Sequence, residues 1–335
     1  MILVTGGTGF LGSHLIHQLL QKGSQVRALR REQTSFDIIR RVFSFYNDDF
    51  DARKSMIEWV EADITDIYSL EACLEGVTDV YHAAALVSFQ PGDQERMDLI
   101  NVKGTANLVN ACLGQGIRKF CHVSSIAAIG RAENDKVIDE EVVWKASRRN
   151  SHYAISKYGA EREVWRGMEE GLDAVIVNPS IILGPGEINS GSTRLIETVD
   201  SGLKFYTPGI NGFVDVRDVV RIMISLMESD ISGERFIVSA ENLTYKELFG
   251  YIARRLGKPQ PKYKAGKWMS EAYWRLQYIK SRITGTKPLV TRETARTANS
   301  NYTYSGEKLT ETINYKYLSI EQSIMDACDY HLKDK

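Results

Sequence analysis

Three glycines spaced three apart, Gly6, Gly9 and Gly12, stand between the apolar run Ile2–Thr5 and an amphipathic stretch from Leu11 to Gln21. A glycine loop between a strand and a helix is a strong constraint. Glycine reaches positive φ and lets backbone pass where a Cβ would collide. The same rhythm continues to about residue 180. Short β-branched runs at Gln25–Leu29, Ile57–Glu61, Asp79–His82, Lys119–Ser124 and Ala174–Asn178 alternate with helical patterns at Ile67–Leu74, Arg96–Leu113 and Tyr153–Glu170. Such alternation predicts an α/β fold, a doubly wound parallel sheet wrapped by helices.

After Pro179 the pattern loosens, because Gly184-Pro185-Gly186, Gly191, Pro208-Gly209 and Gly212 interrupt it. Helices are expected at Arg217–Glu228, Thr244–Leu256 and Ile320–Leu332, with a strand at Arg235–Val238. The chain is therefore expected to divide into a Rossmann-type domain, 1–180, and a smaller mixed α/β substrate-binding lobe, 181–335. The stretch 211–240 is free in this reading to return to the first domain.

A loop of this kind suits a dinucleotide, since its backbone can approach a pyrophosphate whose charge the following helix N-terminus meets. Gly6, Thr8, Gly9, Phe10, Leu11 and Gly12 are the expected contacts. At the end of the second strand, where a carboxylate would serve an NAD ribose, stand Arg30 and Arg31. Guanidinium groups there favour the 2′-phosphate of NADP(H). Glu32, one residue on, leaves NAD(H) open as the alternative.

Tyr153-Ala154-Ile155-Ser156-Lys157 places a phenol and an amine four apart on one helical face. A tyrosine pKa of about 10 suits proton relay poorly at neutral pH, and an adjacent ammonium together with the positive nicotinamide of oxidised cofactor is expected to lower it. Ser124-Ser125 ends the apolar run from Lys119 and offers a hydroxyl at a strand end. Tyr153 and Lys157 are both expected to serve catalysis and to touch the cofactor. Together with the loop, these residues predict proton transfer beside a nicotinamide.

The loop, Tyr153 and Lys157, with five further motifs, resemble the extended short-chain dehydrogenase/reductase family over nearly the whole chain. The further motifs are Asp63-Ile64-Thr65-Asp66, His82-Ala83-Ala84-Ala85, Asn101-Val102-Lys103-Gly104, Asn178-Pro179-Ser180 and the run from Phe213 to Val219. The resemblance implies that Asp63 and Ile64 contact adenine, that Ala83, Ala84 and Ala85 line the ribose, and that Pro179 and Ser180 border the nicotinamide. It further implies Ser125 as the catalytic hydroxyl, five residues before Gly130, and Asn101 as the holder of a water behind Lys157. The branch it points to is that of dihydroflavonol reductases and 3β-hydroxysteroid dehydrogenases.

The expected reaction is thus interconversion of a ketone or aldehyde and an alcohol on a small apolar substrate, by an NADP(H)-dependent oxidoreductase. An NAD-dependent nucleotide-sugar epimerase is the alternative, and a non-catalytic cofactor sensor a third reading that the intact Ser125, Tyr153 and Lys157 oppose. Sugar dehydratases carry Thr-Asp-Glu where this chain has Ser125, Ile126 and Ala127, and neither aliphatic side chain transfers a proton. With 42 basic and 43 acidic side chains, no global field attracts nucleic acid. Cys73, Cys112, Cys121 and Cys328 lack metal spacing and are expected as buried thiols. His14 and His17 have no evident third ligand, so no metal is expected. The short run Met1–Val4 before the loop leaves no signal peptide in this reading, and no transmembrane segment is visible, so the expectation is a cytoplasmic protein.

Phe89, Trp144, Tyr206 and Phe213 are candidate pocket aromatics. The family resemblance implies a homodimer through the helices Arg96–Leu113 and Tyr153–Glu170, with Leu99, Val102, Ala106 and Val109 as the apolar stripe. The segment from Lys262 to Ile283 mixes aromatic and basic residues. It is expected as a lid or core helix, with peripheral contact to a membrane as the other possibility.

Overall fold

The computed structural model describes residues 1–90, 92–130, 137–147, 150–186, 191–284, 286 and 290–333, without the side chains of 191, 192 and 283. In chain order its strands are β1 (Ile2–Thr5), β2 (Val26–Arg30), β3 (Ile57–Glu61), β4 (Asp79–His82), β5 (Lys119–Val123) and β6 (Ala174–Pro179). There follow β7 (Ile181–Leu183), β8 (Phe205–Tyr206), β9 (Ile210–Asp215), β10 (Glu234–Val238), β11 (Glu241–Thr244) and β12 (Tyr263–Lys264). Seven of them form one parallel sheet in the order β10-β6-β5-β4-β1-β2-β3. The doubly wound parallel architecture expected from the alternation is present.

Period-two alternation assigns each strand residue to one of two cores. Val4, Ala28, Tyr81, Cys121, Val175 and Val177 meet helix α1 (Phe10–Gln21), helix α2 (Asp37–Phe45) and the helix Val216–Glu228. Leu3, Leu29, Val80, Phe120, Ala174 and Ile176 meet the helices Ile67–Cys73, Gly104–Gln115 and His152–Glu169 on the other face. Burial on both faces explains why these strands read as continuous apolar runs. The smaller sheet, in the order β11-β9-β7, packs with the helices Gly191–Asp200, Tyr245–Arg255 and Ile320–Lys333 around Phe213 and Leu248. All four cysteines are free and buried.

Several local readings differ from expectation. The second strand runs to Arg30, so that residue belongs to the strand itself. The helix expected at Arg96–Leu113 runs from Gln94 to Gln115 and carries a π-helical stretch at Asp98–Lys103, a widened turn that includes Asn101. Helix α2 was not expected at all, although Ile39, Val42 and Phe43 carry its buried face. Of the expected dimer stripe, Val109 is buried in the chain's own core. Val102 packs where a Cβ on Gly159 would lie 2.9 Å from it, and Leu99 alone stands clearly exposed.

The segment from Lys262 forms the helix Lys267–Thr284, seated on the helix Arg292–Thr297. A core helix is not what the structure shows there, because Trp268, Leu276 and Ile279 face outward. Ile283 has a side chain outside the described set. Among the described residues no helix is long and apolar enough to cross a membrane.

Candidate active site

The C-terminal ends of β1, β4, β5 and β6 converge where the strand order reverses between β1 and β4, the usual crevice of such sheets. Gly6 has φ +70°, and a Cβ on it would lie 2.7 Å from the Ala84 nitrogen. A Cβ on Gly12 would overlap the Gly6 carbonyl. These two positions therefore tolerate only glycine, and they bring the loop against Ala83 and Ala84. No side chain caps α1, which leaves the amides of its first turn, from Phe10 through Gly12, directed at the loop mouth beside Thr8 and Gly9. That cradle fits a pyrophosphate. His82, between the Thr5 hydroxyl at 2.8 Å and the Thr105 hydroxyl at 2.9 Å, fixes the end of β4. Burial lowers its pKa to about 3, so it holds these bonds as a neutral ring.

Asp63 accepts from both the amide and the hydroxyl of Thr65 at 2.8 Å, a turn that holds its exposed carboxylate in place. Ile64 fills the space that a Cβ on Gly104 would enter. Ala85 is exposed at the loop after β4. Pro179 ends β6, and the buried Ser180 hydroxyl beyond it has no hydrogen-bond partner among the described residues.

Ser125 and Tyr153 both line the cleft, while Ser124 donates to Glu161 Oε2 at 2.6 Å. Lys157, one turn after Tyr153, is buried and donates from Nζ to the Val123 carbonyl at 2.7 Å. Burial lowers its pKa to about 8, against the pull of the Glu161 carboxylate. The expectation that Lys157 lowers the Tyr153 pKa is corrected for the chain by itself. Burial raises that phenol, and the neighbouring Ser125 hydroxyl opposes the rise. The Asn101 amide is engaged by the 86 loop. Oδ1 accepts from the Leu86 amide at 2.7 Å, and Nδ2 donates to the Leu86 carbonyl and to Ser156 Oγ, both at 3.0 Å. These bonds join that loop to the Tyr153 helix.

Sequence reasoning missed Glu161. Its buried carboxylate accepts from Ser124, from Asn178 Nδ2 at 2.8 Å and from Arg235 Nη1 at 3.1 Å. Asn178 also donates to the Ser125 carbonyl at 3.0 Å. Arg235 in turn holds the carbonyls of Glu140 and Val142. Glu161 thus ties β5, β6 and β10 together directly beneath Ser125. Its signal was the four-residue step that continues Tyr153, Lys157, Glu161 along one helix face.

Above this floor lies a cleft of about 580 Å³. Phe10, Leu11, Ser125, Tyr153, Pro179 and Ser180 line its lower side, and Phe89, Trp144, Tyr245, Tyr302 and Tyr304 its upper side. Phe89 and Trp144 are therefore pocket residues. Tyr206 and Phe213 are not: Phe213 is buried in the second core, and Tyr206 pairs with β12. No charged side chain is among the described residues lining the cleft. Arg30, on the far side of the loop, forms an ion pair with Glu61, its register partner on β3. Arg31 is exposed, and its guanidinium has no ion-pair partner among the described residues. His14 bonds the Tyr46 hydroxyl at 2.7 Å and the Pro185 carbonyl at 3.0 Å, and His17 stacks on Tyr46, so both are packing residues.

Residues 2–239 match the model of the NAD dependent epimerase/dehydratase family. A putative dihydroflavonol 4-reductase of Synechocystis is 29% identical over 97% of this chain and 92% of its own length. A sterol demethylase protein B of Methylococcus capsulatus is 30% identical over 78% of this chain and 76% of its own length. The crystal structure of gox2253 superposes with a TM-score of 0.80 at 28% identity, covering 100% of this chain and 98% of that one.

Proposed function

The chain belongs to the NAD dependent epimerase/dehydratase family, whose enzymes work through a nicotinamide dinucleotide, and from that premise we propose an NADP(H)-dependent carbonyl reductase or alcohol dehydrogenase for a neutral, largely apolar substrate. The observation that carries this reading is a cleft with Ser125 and Tyr153 together at its floor and no charged side chain in its described lining. A nucleotide sugar would bring a diphosphate, which calls for cationic or clustered amide donors. The cleft suits a ketone better than it suits that ligand.

Gly6, Thr8, Gly9, Phe10, Leu11 and Gly12 hold the pyrophosphate in this proposal, Asp63 and Ile64 the adenine, Ala83, Ala84 and Ala85 the ribose, and Pro179 and Ser180 the nicotinamide. When bound, that ring supplies or accepts the hydride. Ser125 Oγ holds the substrate oxygen, and Tyr153 Oη passes the proton to or from it. Lys157 changes partner from the Val123 carbonyl to the ribose hydroxyls, where its ammonium favours the phenolate of Tyr153. Support for NADP(H) over NAD(H) rests on Arg31, because Arg30 must exchange Glu61 for a 2′-phosphate before it can contribute.

The four free, buried thiols support a cytoplasmic setting. Exposed Leu99 and Ile155, on the two paired helices, support a homodimer through that face. Light scattering checks it, and a monomer mass at every concentration rejects it. The reaction is tested by NADPH consumption over a panel of apolar ketones and aldehydes, beside an assay for epimerisation of nucleotide sugars. Consumption with neutral carbonyls is the expected result. Interconversion of nucleotide sugars without added cofactor would assign the epimerase instead.

A further inference from the structure

The helix Lys267–Thr284 is amphipathic in the opposite sense from a helix that packs on a domain. Its sheltered positions are Ser270, Glu271, Trp274, Gln277 and Ser281, and Ser270 accepts a hydrogen bond from Asn299 at 2.8 Å. Its outward positions include Trp268, 90% exposed, Leu276, 63% exposed, and Ile279, 55% exposed. A surface helix ordinarily turns its apolar stripe to the core, and a contiguous exposed apolar patch marks a contact site.

Charge identifies the contact. Between residues 262 and 284 stand Lys262, Lys264, Lys267, Arg275, Lys280 and Arg282, all exposed, in a chain whose net charge is −1. The segment's lone acidic residue, Glu271, is paired with Arg275 at 2.8 Å. A second copy of the chain meeting this face about a two-fold axis would bring the same positive charges together. An anionic bilayer offers both complements at once, acyl chains for the apolar residues and phosphates for the basic ones.

We propose that the helix Lys267–Thr284 docks the protein on an anionic lipid bilayer, lying in the plane of the interface with Trp268, Leu276 and Ile279 inserted. The helix packs on Arg292–Thr297, whose Thr294 and Thr297 line the cleft. Docking therefore sets the cleft beside the membrane surface, where a lipid-dissolved substrate is concentrated. That last step rests on the reading of the cleft as a site for an apolar carbonyl, whereas the docking itself does not.

The test is flotation of the full chain, without cofactor or substrate, on vesicles of phosphatidylcholine alone and of phosphatidylcholine mixed with phosphatidylglycerol. Flotation is expected with the mixed vesicles, weakened by salt, and much less with phosphatidylcholine. Replacing Trp268, Leu276 and Ile279 together with Ser should abolish it. The triple change Lys264→Gln, Lys267→Gln and Lys280→Gln should weaken binding roughly a hundredfold, about fivefold per basic side chain. Both variants should keep the thermal midpoint and the NADPH affinity of the parent protein. No flotation on anionic vesicles, or flotation that neither variant alters, overturns the proposal. A dimer that dissociates in the Ser variant, with no flotation, would assign the face to a second copy of the chain.

Discussion

The floor and the roof of the cleft are built on opposite plans. Beneath Tyr153 a chain of polar groups is held together across the strands: Ser124 and Asn178 on Glu161, Glu161 on Arg235, and Lys157 on Val123. Above it the lining is aromatic and neutral, and it comes from segments far apart in sequence, at Phe89, Trp144, Tyr245 and Tyr302–Tyr304. A bonded floor fixes proton positions and so defines a reaction. An uncharged roof recognises by shape and area, and so defines a substrate.

If that division holds, changes in the floor should cost turnover for every substrate, and changes in the roof should reorder substrates. The largest effect is expected for Tyr153→Phe. It should lower kcat by about 10²–10⁴-fold while cofactor affinity stays near that of the parent. Lys157→Ala should damage both, because the ribose contact goes with the charge. Steady-state rates beside cofactor titration separate the two, and substantial turnover in Tyr153→Phe would break the comparison at its centre.

Next comes Glu161→Gln, which takes the counter-ion from the half-buried Arg235 and the charge that Ser124 and Asn178 donate to, and should lower stability by about 1–3 kcal/mol in chemical denaturation. It should also lower the Lys157 pKa further, because the carboxylate that raises it is gone. The sign for the parent protein follows from the pKa change from 10.5 unfolded to about 8 folded. Between those values the unfolded chain keeps a proton that the native chain has released, so the Lys157 contribution to stability rises with pH across that window. Lys157→Met should remove the rise, as denaturation at pH 7.5 and at pH 10 would show on the scale of about 1.4 kcal/mol per pH unit.

In the roof, Phe89 lies edge-on to Tyr153 with ring centroids 5.5 Å apart. Phe89→Ala should change kcat/KM by about 10- to 100-fold for bulky carbonyls and less for small ones. An equal loss for all substrates would mean that Phe89 serves the floor. The smallest effect is expected outside the cleft. Arg31→Ala should weaken NADPH about tenfold and NADH hardly at all, as loss of a charge-assisted phosphate contact requires.

What was legible in the sequence was local. The glycine loop and the Tyr153–Lys157 spacing need only neighbours along the chain, and the sheet follows from runs of β-branched residues buried on both faces. What was hidden depends on register and packing. Arg30 is committed to Glu61 because β2 pairs with β3 in one register, which no spacing within β2 encodes. Arg235 reaches Glu161 across 74 residues, and Tyr304 reaches the roof through a bridge to Ile138. The helix Lys267–Thr284 has a readable apolar stripe, but periodicity gives a face and not the direction in which packing turns it.

The central claim, hydride exchanged with an exogenous carbonyl at the Tyr153 floor, is tested most directly with NADPH carrying deuterium at the transferable position. A mass spectrum of the product after reaction with an apolar ketone should show one deuterium on the former carbonyl carbon, with one NADP⁺ formed per product, and Tyr153→Phe should slow its appearance. Label that stays on the added cofactor, while nucleotide sugars interconvert on nicotinamide retained by the purified protein, would contradict the account.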